Sequence, residues 1–204
     1  MNRNGEGESL NSVAVADATV IRPGGIVEQI LTCGRYEAWC VRDGVELWRE
    51  AFDNVVTTIG KNHMLDNYLA GSAFTQVGPF LGLISSVGYG AGPVAADTMA
   101  SHAGWAEAGN GTNYPLWSTP ASNARGACAW SAASAGAKAL SAALAFIIAT
   151  TGGTVKGAFI VLGASAVATN NSTAGTLFSA GTFTGGDKVV SIGDTLNVSW
   201  NLSL

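Results

Sequence analysis

The stretch Thr195-Leu196-Asn197-Val198-Ser199-Trp200-Asn201-Leu202-Ser203-Leu204 alternates polar and apolar residues to its end. Side chains on a strand point to opposite faces with a period of two, so Leu196, Val198, Trp200 and Leu202 share one face. The residues between them carry hydroxyls and amides, which suit water. This is the signature of a half-buried antiparallel strand. Gly193-Asp194 just before it supplies the turn, and upstream of that Thr176 to Phe183 leads through Gly185-Gly186-Asp187 into Lys188 to Ile192.

The same grammar recurs along the chain. Cys33 to Val41 and Val45 to Phe52 flank Arg42-Asp43-Gly44, and Asp-Gly between two aromatic-bearing runs is a strong hairpin signal. That hairpin contributes Tyr36, Trp39, Trp48 and Phe52. Phe80 to Ile84 predicts a buried strand, followed by the glycine-rich stretch from Ser85 to Gly92. Arg125 to Ala133 alternates with Cys128 and Trp130. Leu144 to Ile148 and Val155 to Leu162 are apolar runs separated by Thr150-Thr151-Gly152-Gly153.

One helix is expected near residues 58–70. Thr57 or Thr58 can cap it, Ile59, His63 or Met64, and Tyr68 recur near helical spacing, and Gly71 supplies a stop. Leu65 and Leu69 lie four apart on one face. A Rossmann-type fold needs several helices between its strands, so the pattern predicts a mainly β protein: an antiparallel β-sandwich with Greek-key or jelly-roll-like connections and one short helix. Residues 32–204 form that domain. Residues 1–31 are polar and glycine-rich, then apolar with an Arg22-Pro23-Gly24-Gly25 turn, and are expected to form an extended N-terminal arm. Such an arm pairs with a domain edge or reaches onto a neighbour. Val20, Ile26 and Ile30 of the arm, with Trp117, are the candidate interface residues.

Charge is distributed unevenly. Beyond Glu107 the chain holds six charged side chains, Arg125, Lys138, Lys156, Asp187, Lys188 and Asp194. A free soluble domain usually covers its surface with roughly 25–35% charged residues, so this half suits a surface covered by other protein. The net charge of −4 and the lack of any Lys/Arg cluster give no footprint for nucleic acid. No membrane span is expected, because the longest apolar segment, Ala139 to Ala149, is too short. MNRNGEGESLNS has no apolar centre, so no secretory leader is expected. The cysteines Cys33, Cys40 and Cys128 are odd in number. If Gly34 to Trp39 is strand, Cys33 and Cys40 stand more than about 20 Å apart, so neither a disulfide scaffold nor a zinc site is expected.

Catalytic chemistry is hard to assemble. Asp97, Ser101, His102 and Glu107 are the ingredients of a Ser/His/acid site, but a triad is a matter of geometry, and no G-x-S-x-G elbow accompanies them. Asp97, Ser101, His102 and Trp105 are instead expected to organise a loop through hydrogen bonds to the backbone. His63 and Asp66 are too few for a metal, and Asp187 and Asp194 fit turn positions. Acids are sparse where a glycosidase would need two facing each other, and Gly88-Tyr89-Gly90-Ala91-Gly92 lacks the Lys and the helix of a phosphate loop. No cofactor or metal is expected. Trp105, Tyr114 and Trp117 could present ring faces to a sugar, whereas Trp39, Trp48, Trp130 and Trp200 fit core or interface positions.

Several segments resemble a family of small tailed-phage and prophage proteins. They are Phe52-Asp53-Asn54-Val55-Val56-Thr57-Thr58-Ile59-Gly60 with Met64-Leu65-Asp66, then Phe80-Leu81-Gly82-Leu83-Ile84. The most specific is Asp97-Thr98-Met99-Ala100-Ser101-His102-Ala103-Gly104-Trp105 with Glu107. Gly157-Ala158-Phe159-Ile160, Gly175-Thr176-Leu177-Phe178, Ala180-Gly181-Thr182-Phe183 and Gly193-Asp194-Thr195-Leu196 follow. The resemblance runs from about Tyr36 to the C-terminus. Met1 to Leu31 and the Ala/Ser-rich Ser131 to Ala145 depart from it. It implies a head- or neck-associated virion component, with no catalytic residues. Together with the low charge density and the arm, it leads to the expectation of a decoration or cement protein on the capsid exterior. Its partners would be the major capsid protein and further copies of itself, as a dimer or trimer. The alternative is a tail, neck or fibre-base component that binds a host glycan.

Overall fold

Strands β1 (Cys33–Arg42) and β2 (Val45–Val56) form a hairpin closed by Asp43 and Gly44, with φ of 50° and 80°. Both turn residues are left-handed, as a two-residue turn matching the strand twist requires. Tyr36 pairs with Phe52, Ala38 with Glu50 and Cys40 with Trp48, all on the inner face. The register then slips, because Val41 faces Glu46 and leaves Leu47 as the extra residue of a bulge. That slip returns Glu46 to the outer face, where Arg49 binds both Glu46 and Glu37 at 2.7 and 2.8 Å. Trp39 stands on this outer face with the Arg49 guanidinium 4.4 Å above its ring. It is half-buried, and the side chain that covers it comes from its own hairpin.

The computed structural model describes residues 33–69 and 76–203. The expected arm, with Val20, Ile26 and Ile30, lies outside the described residues, as does Gly71. After the hairpin come α1 (Thr58–Leu69), β3 (Phe80–Ser85), β4 (Ala106–Glu107), β5 (Leu116–Thr119), β6 (Gly126–Ala127) and β7 (Ala137–Ala139). These lead to β8 (Leu144–Thr151), β9 (Gly153–Leu162), β10 (Thr176–Thr182), β11 (Lys188–Val190) and β12 (Thr195–Ser203). The protein is mainly β, and every named strand pairing is antiparallel.

The strands follow one path, β4-β3-β9-β10-β2-β1-β12-β8-β5, with β6 added to β3, β7 to β12 and β11 to β9. β2 joins the two halves: most of its length pairs with β1, and Val55 and Val56 pair with Ala180 and Ser179 of β10. The result is a single curled sheet, continuous through β2. The chain changes halves at Gly152, since β8 pairs with β12 and β5 whereas β9 pairs with β3, β10 and β11.

A shared core lies inside the curl. Tyr36, Phe52, Phe146, Leu196, Val198 and Trp200 from one half meet Leu81, Leu83, Ile160 and Phe178 from the other. The Phe178 and Trp200 rings pack edge to face at 5.7 Å, and the Tyr36 hydroxyl bonds the Ser179 hydroxyl at 2.9 Å. The alternation of β12 is met in full, with Leu196, Val198, Trp200 and Leu202 all buried. β3, β9 and β10 are buried on both faces, because a second cluster of Ile84, Met99, Trp105, Phe159, Val161 and Leu177 covers their outer side. This is why their sequences are continuous apolar runs. Gly157 is needed there, since a Cβ would strike the carbonyl of Gly181 on β10.

Thr57 caps α1 by accepting from the Gly60 N–H at 3.0 Å, while its own N–H reaches the Phe178 carbonyl at 3.1 Å. Leu65 and Leu69 are 56% and 71% exposed, so they are not the packed face of the helix. Gly60 and Met64, one turn apart, face the sheet instead. A Cβ at Gly60 would lie 2.5 Å from the Phe178 carbonyl oxygen, so only glycine allows so close an approach.

Two turns are tied to β1 and β2 by carboxylates. Asp194 is buried, accepts from Arg42 at 2.6 and 2.9 Å, and accepts the Ser191 N–H at 2.7 Å. Glu50 accepts from the Thr184 and Gly185 N–H groups at 2.8 and 2.7 Å, from the Thr184 hydroxyl, and from Lys188 at 2.6 Å. Desolvation opposes ionisation of Glu50, but the Lys188 ammonium and the Gly185 and Thr184 donors outweigh it and hold the carboxyl at about 2. A carboxyl held below its unfolded value of ~4.3 stabilises the fold fully above about pH 5 and progressively less as the pH falls toward 2. Urea unfolding should therefore show stability falling across that window more steeply in the parent than in Glu50→Gln. Equal slopes in the two proteins would remove Glu50 from the account.

Candidate functional site

The long connection between β3 and β4 is held by its own polar side chains. Asp97 Oδ2 accepts the Val94 N–H at 3.0 Å and the Trp105 indole N–H at 2.9 Å. The Thr98 N–H donates to the Ser101 carbonyl at 2.9 Å, and the Ser101 N–H to the Thr98 hydroxyl oxygen at 3.0 Å. His102 Nδ1 lies 3.0 Å from the Trp105 carbonyl. A carbonyl only accepts, so this nitrogen carries the proton. The two rings stack at 4.0 Å, and Trp105 beneath packs against Phe159 at 5.4 Å. Asp97, Ser101, His102 and Trp105 are thus brought together. The wiring is not that of a triad, because Asp97 bonds the indole and His102 Nδ1 bonds a main-chain carbonyl.

Below this loop lies a charge pair that the sequence reading did not single out. Glu107 is on β4, and Arg125 precedes β6; their side chains are 3% and 0% exposed. Arg125 Nε donates to Glu107 Oε1 at 2.9 Å and Nη2 to Oε2 at 2.8 Å, the bidentate geometry in which the guanidinium is strongest. The remaining donors reach the carbonyls of Val167 at 3.2 Å and Ser172 at 2.8 Å. Glu107 Oε2 also accepts the Asn171 N–H at 2.9 Å. The available signal was a lone Arg in a segment otherwise emptied of charge. The separation of 18 positions between the partners concealed the pairing.

Between residues 99–106 and 171–173 a groove of about 520 Å³ opens above the pair. Ser101, His102, Ser172 and Thr173 line it, and Glu107 lies at its floor.

The other candidates fall elsewhere. Trp117 is 1% exposed, which removes it as an interface residue and as a sugar platform. Its indole N–H donates to the Ala124 carbonyl at 3.0 Å and its ring meets Phe146 edge-on at 5.0 Å, so the core claims it. Trp105 is 4% exposed, and Tyr114 is half-buried with its carbonyl accepting the Ser85 hydroxyl. The three rings therefore form no joint stacking surface. His63 on α1 is within bonding distance of Gln76 Oε1 at 3.0 Å. No cluster of three or more His, Cys, Asp or Glu side chains suited to a metal occurs among the described residues. Cys40 and Cys128 are free thiols. Burial pushes both up to about 12, helped at Cys40 by the Asp194 carboxylate, so both stay protonated near neutral pH.

No family model, no curated protein and no solved structure matches the chain. Function is therefore read from the chemistry of its own side chains. Removing one partner of a buried ion pair strands the other, so Arg125→Met should cost about 3–5 kcal/mol in chemical denaturation. Glu107→Gln combined with Arg125→Met should cost less than the single change, because no charge is left buried. A loss below about 1 kcal/mol for Arg125→Met would show that the pair does not hold the loops.

Proposed function

We propose that the chain is a non-enzymatic structural protein of a bacteriophage virion, a decoration or cement protein on the capsid exterior that bridges capsomers. One observation carries this reading. All six charged side chains beyond Glu107 are engaged within the subunit. Arg125 binds Glu107, Lys156 binds Asp187, Lys188 binds Glu50, Asp194 binds Arg42, and Lys138 donates to the Ser131 carbonyl. A partner covering this half would therefore strip water from few unpaired charges, the costliest part of burying a protein surface. Exposed Ile147, Val189 and Ile192 add apolar area to be buried at ~25 cal/mol per Å².

The resemblance of the segment ending in Trp105 and Glu107 to tailed-phage proteins supplies the setting. The major capsid protein would be the principal partner, and self-association as a dimer or trimer at local symmetry axes would fit such a shell. The asserted role is mechanical, to bury neutral surface across seams between capsomers.

Gel densitometry of purified particles tests this directly. A cement protein is present at a copy number comparable to the major capsid protein, and stripping it lowers resistance to heat and osmotic shock. A few copies per particle would favour a neck or fibre-base part. Unchanged resistance after stripping would remove the cementing role.

A further inference from the structure

The groove above the Glu107–Arg125 pair carries polar groups that the proposed shell role does not employ. A carboxylate accepts about four hydrogen bonds. The described residues fill three of these on Glu107: Arg125 Nε on Oε1, and Arg125 Nη2 and the Asn171 N–H on Oε2. Oε1 thus keeps acceptor capacity, on a side chain 3% exposed that lies at the floor of an open groove. Its position is fixed by the bidentate guanidinium, so a ligand donor meets a carboxylate already desolvated and oriented.

The surrounding chemistry selects the ligand. The charge of Glu107 is cancelled by Arg125, and among the described residues no Lys and no further Arg lines the groove, so an anion finds no free counter-charge there. A cation would compete with Arg125 for the same oxygens. The rim offers the hydroxyls of Ser101, Ser172 and Thr173, and the half-buried His102 imidazole, supported from below by Trp105. With Nδ1–H bonded to the Trp105 carbonyl, the neutral form of the His102 ring presents Nε2 as an acceptor. Such a set of directional donors and acceptors without net charge complements a ligand dense in hydroxyls. A volume of about 520 Å³ lies within the range of small-molecule sites.

We propose that the groove between residues 99–106 and 171–173 binds a neutral saccharide, with a ligand hydroxyl donating to Glu107 Oε1 and others engaging His102 and the hydroxyl rim. The full chain, labelled with ¹⁵N, is titrated with glucose, galactose, mannose, N-acetylglucosamine and their disaccharides, with glucosamine and sialic acid as charged controls. At least one neutral sugar should produce saturable amide shifts confined to Ser101, His102, Ser172, Thr173 and their neighbours. Ala100→Trp places an indole in the groove from an exposed position and should weaken that Kd at least tenfold. Ala132→Trp, outside the groove, should leave it unchanged. Both variants should keep the parent's amide spectrum elsewhere, which separates a blocked groove from a damaged fold. Lack of saturation with every neutral sugar, shifts that survive Ala100→Trp, or tighter binding of either charged control would each overturn the proposal.

Discussion

The buried Glu107–Arg125 pair is the interaction on which the rest of this end of the molecule depends. An isolated buried charge is expensive, and even a pair is stable only when its remaining donors and acceptors are satisfied. Here main-chain groups from the 167–172 connection complete the set: the carbonyls of Val167 and Ser172 and the N–H of Asn171. Arg125's own N–H donates to the Ala168 carbonyl at 2.8 Å, and Ala108 N–H reaches Leu83 at 2.8 Å. Segments far apart in sequence are thereby tied to one point. Trp105, anchored by Asp97 just before Glu107, then seals the outer cluster over β3, β9 and β10.

The same economy of charge marks the whole distal half. Its few ionic side chains fasten turns and loops within the subunit. The outer residues are left to hydroxyls, amides, methyls and scattered aliphatic groups. Such a face can be covered without large desolvation cost, which is the physical basis of the proposed capsid role. It also leaves the groove over Glu107 with directional polar groups and no net charge, the basis of the proposed saccharide site. Residues 171–173 of the groove belong to that same half, but the two proposals are tested separately and either can fail alone.

Strand identity was legible wherever local pattern and tertiary environment agree. Asp43-Gly44 named the hairpin, the alternation of Leu196 to Leu202 named a half-buried strand, and Thr57 or Thr58 marked the helix start, with Thr57 proving to be the cap. The continuous path through β2 was not legible, because pairing of Val55 and Val56 with a strand some 120 residues later leaves no local trace. Leu65 and Leu69 do share a face, but helical spacing alone does not say which face is buried. The close approach of Gly60 to Phe178 decides that. Trp117 misled for a related reason: aromatic rings suit cores and interfaces equally, and its neighbours in sequence are loop-like. At the candidate site, Asp97, His102 and Trp105 were visible as a local cluster, while the tie from Glu107 to Arg125 depends on chain crossings that only the fold reveals.

Native-state amide hydrogen exchange, read residue by residue, tests the tie most directly. If the ion pair joins these segments into one cooperative unit, the N–H groups of Ala108, Arg125 and Asn171 exchange with similar, high protection. In Arg125→Met all three should lose protection together, while Val198 in the shared core keeps a larger share of its own. Rapid exchange at Asn171 beside strong protection at Ala108 and Arg125 in the parent protein would contradict the account, because the 167–172 connection would then open without regard to the charge pair.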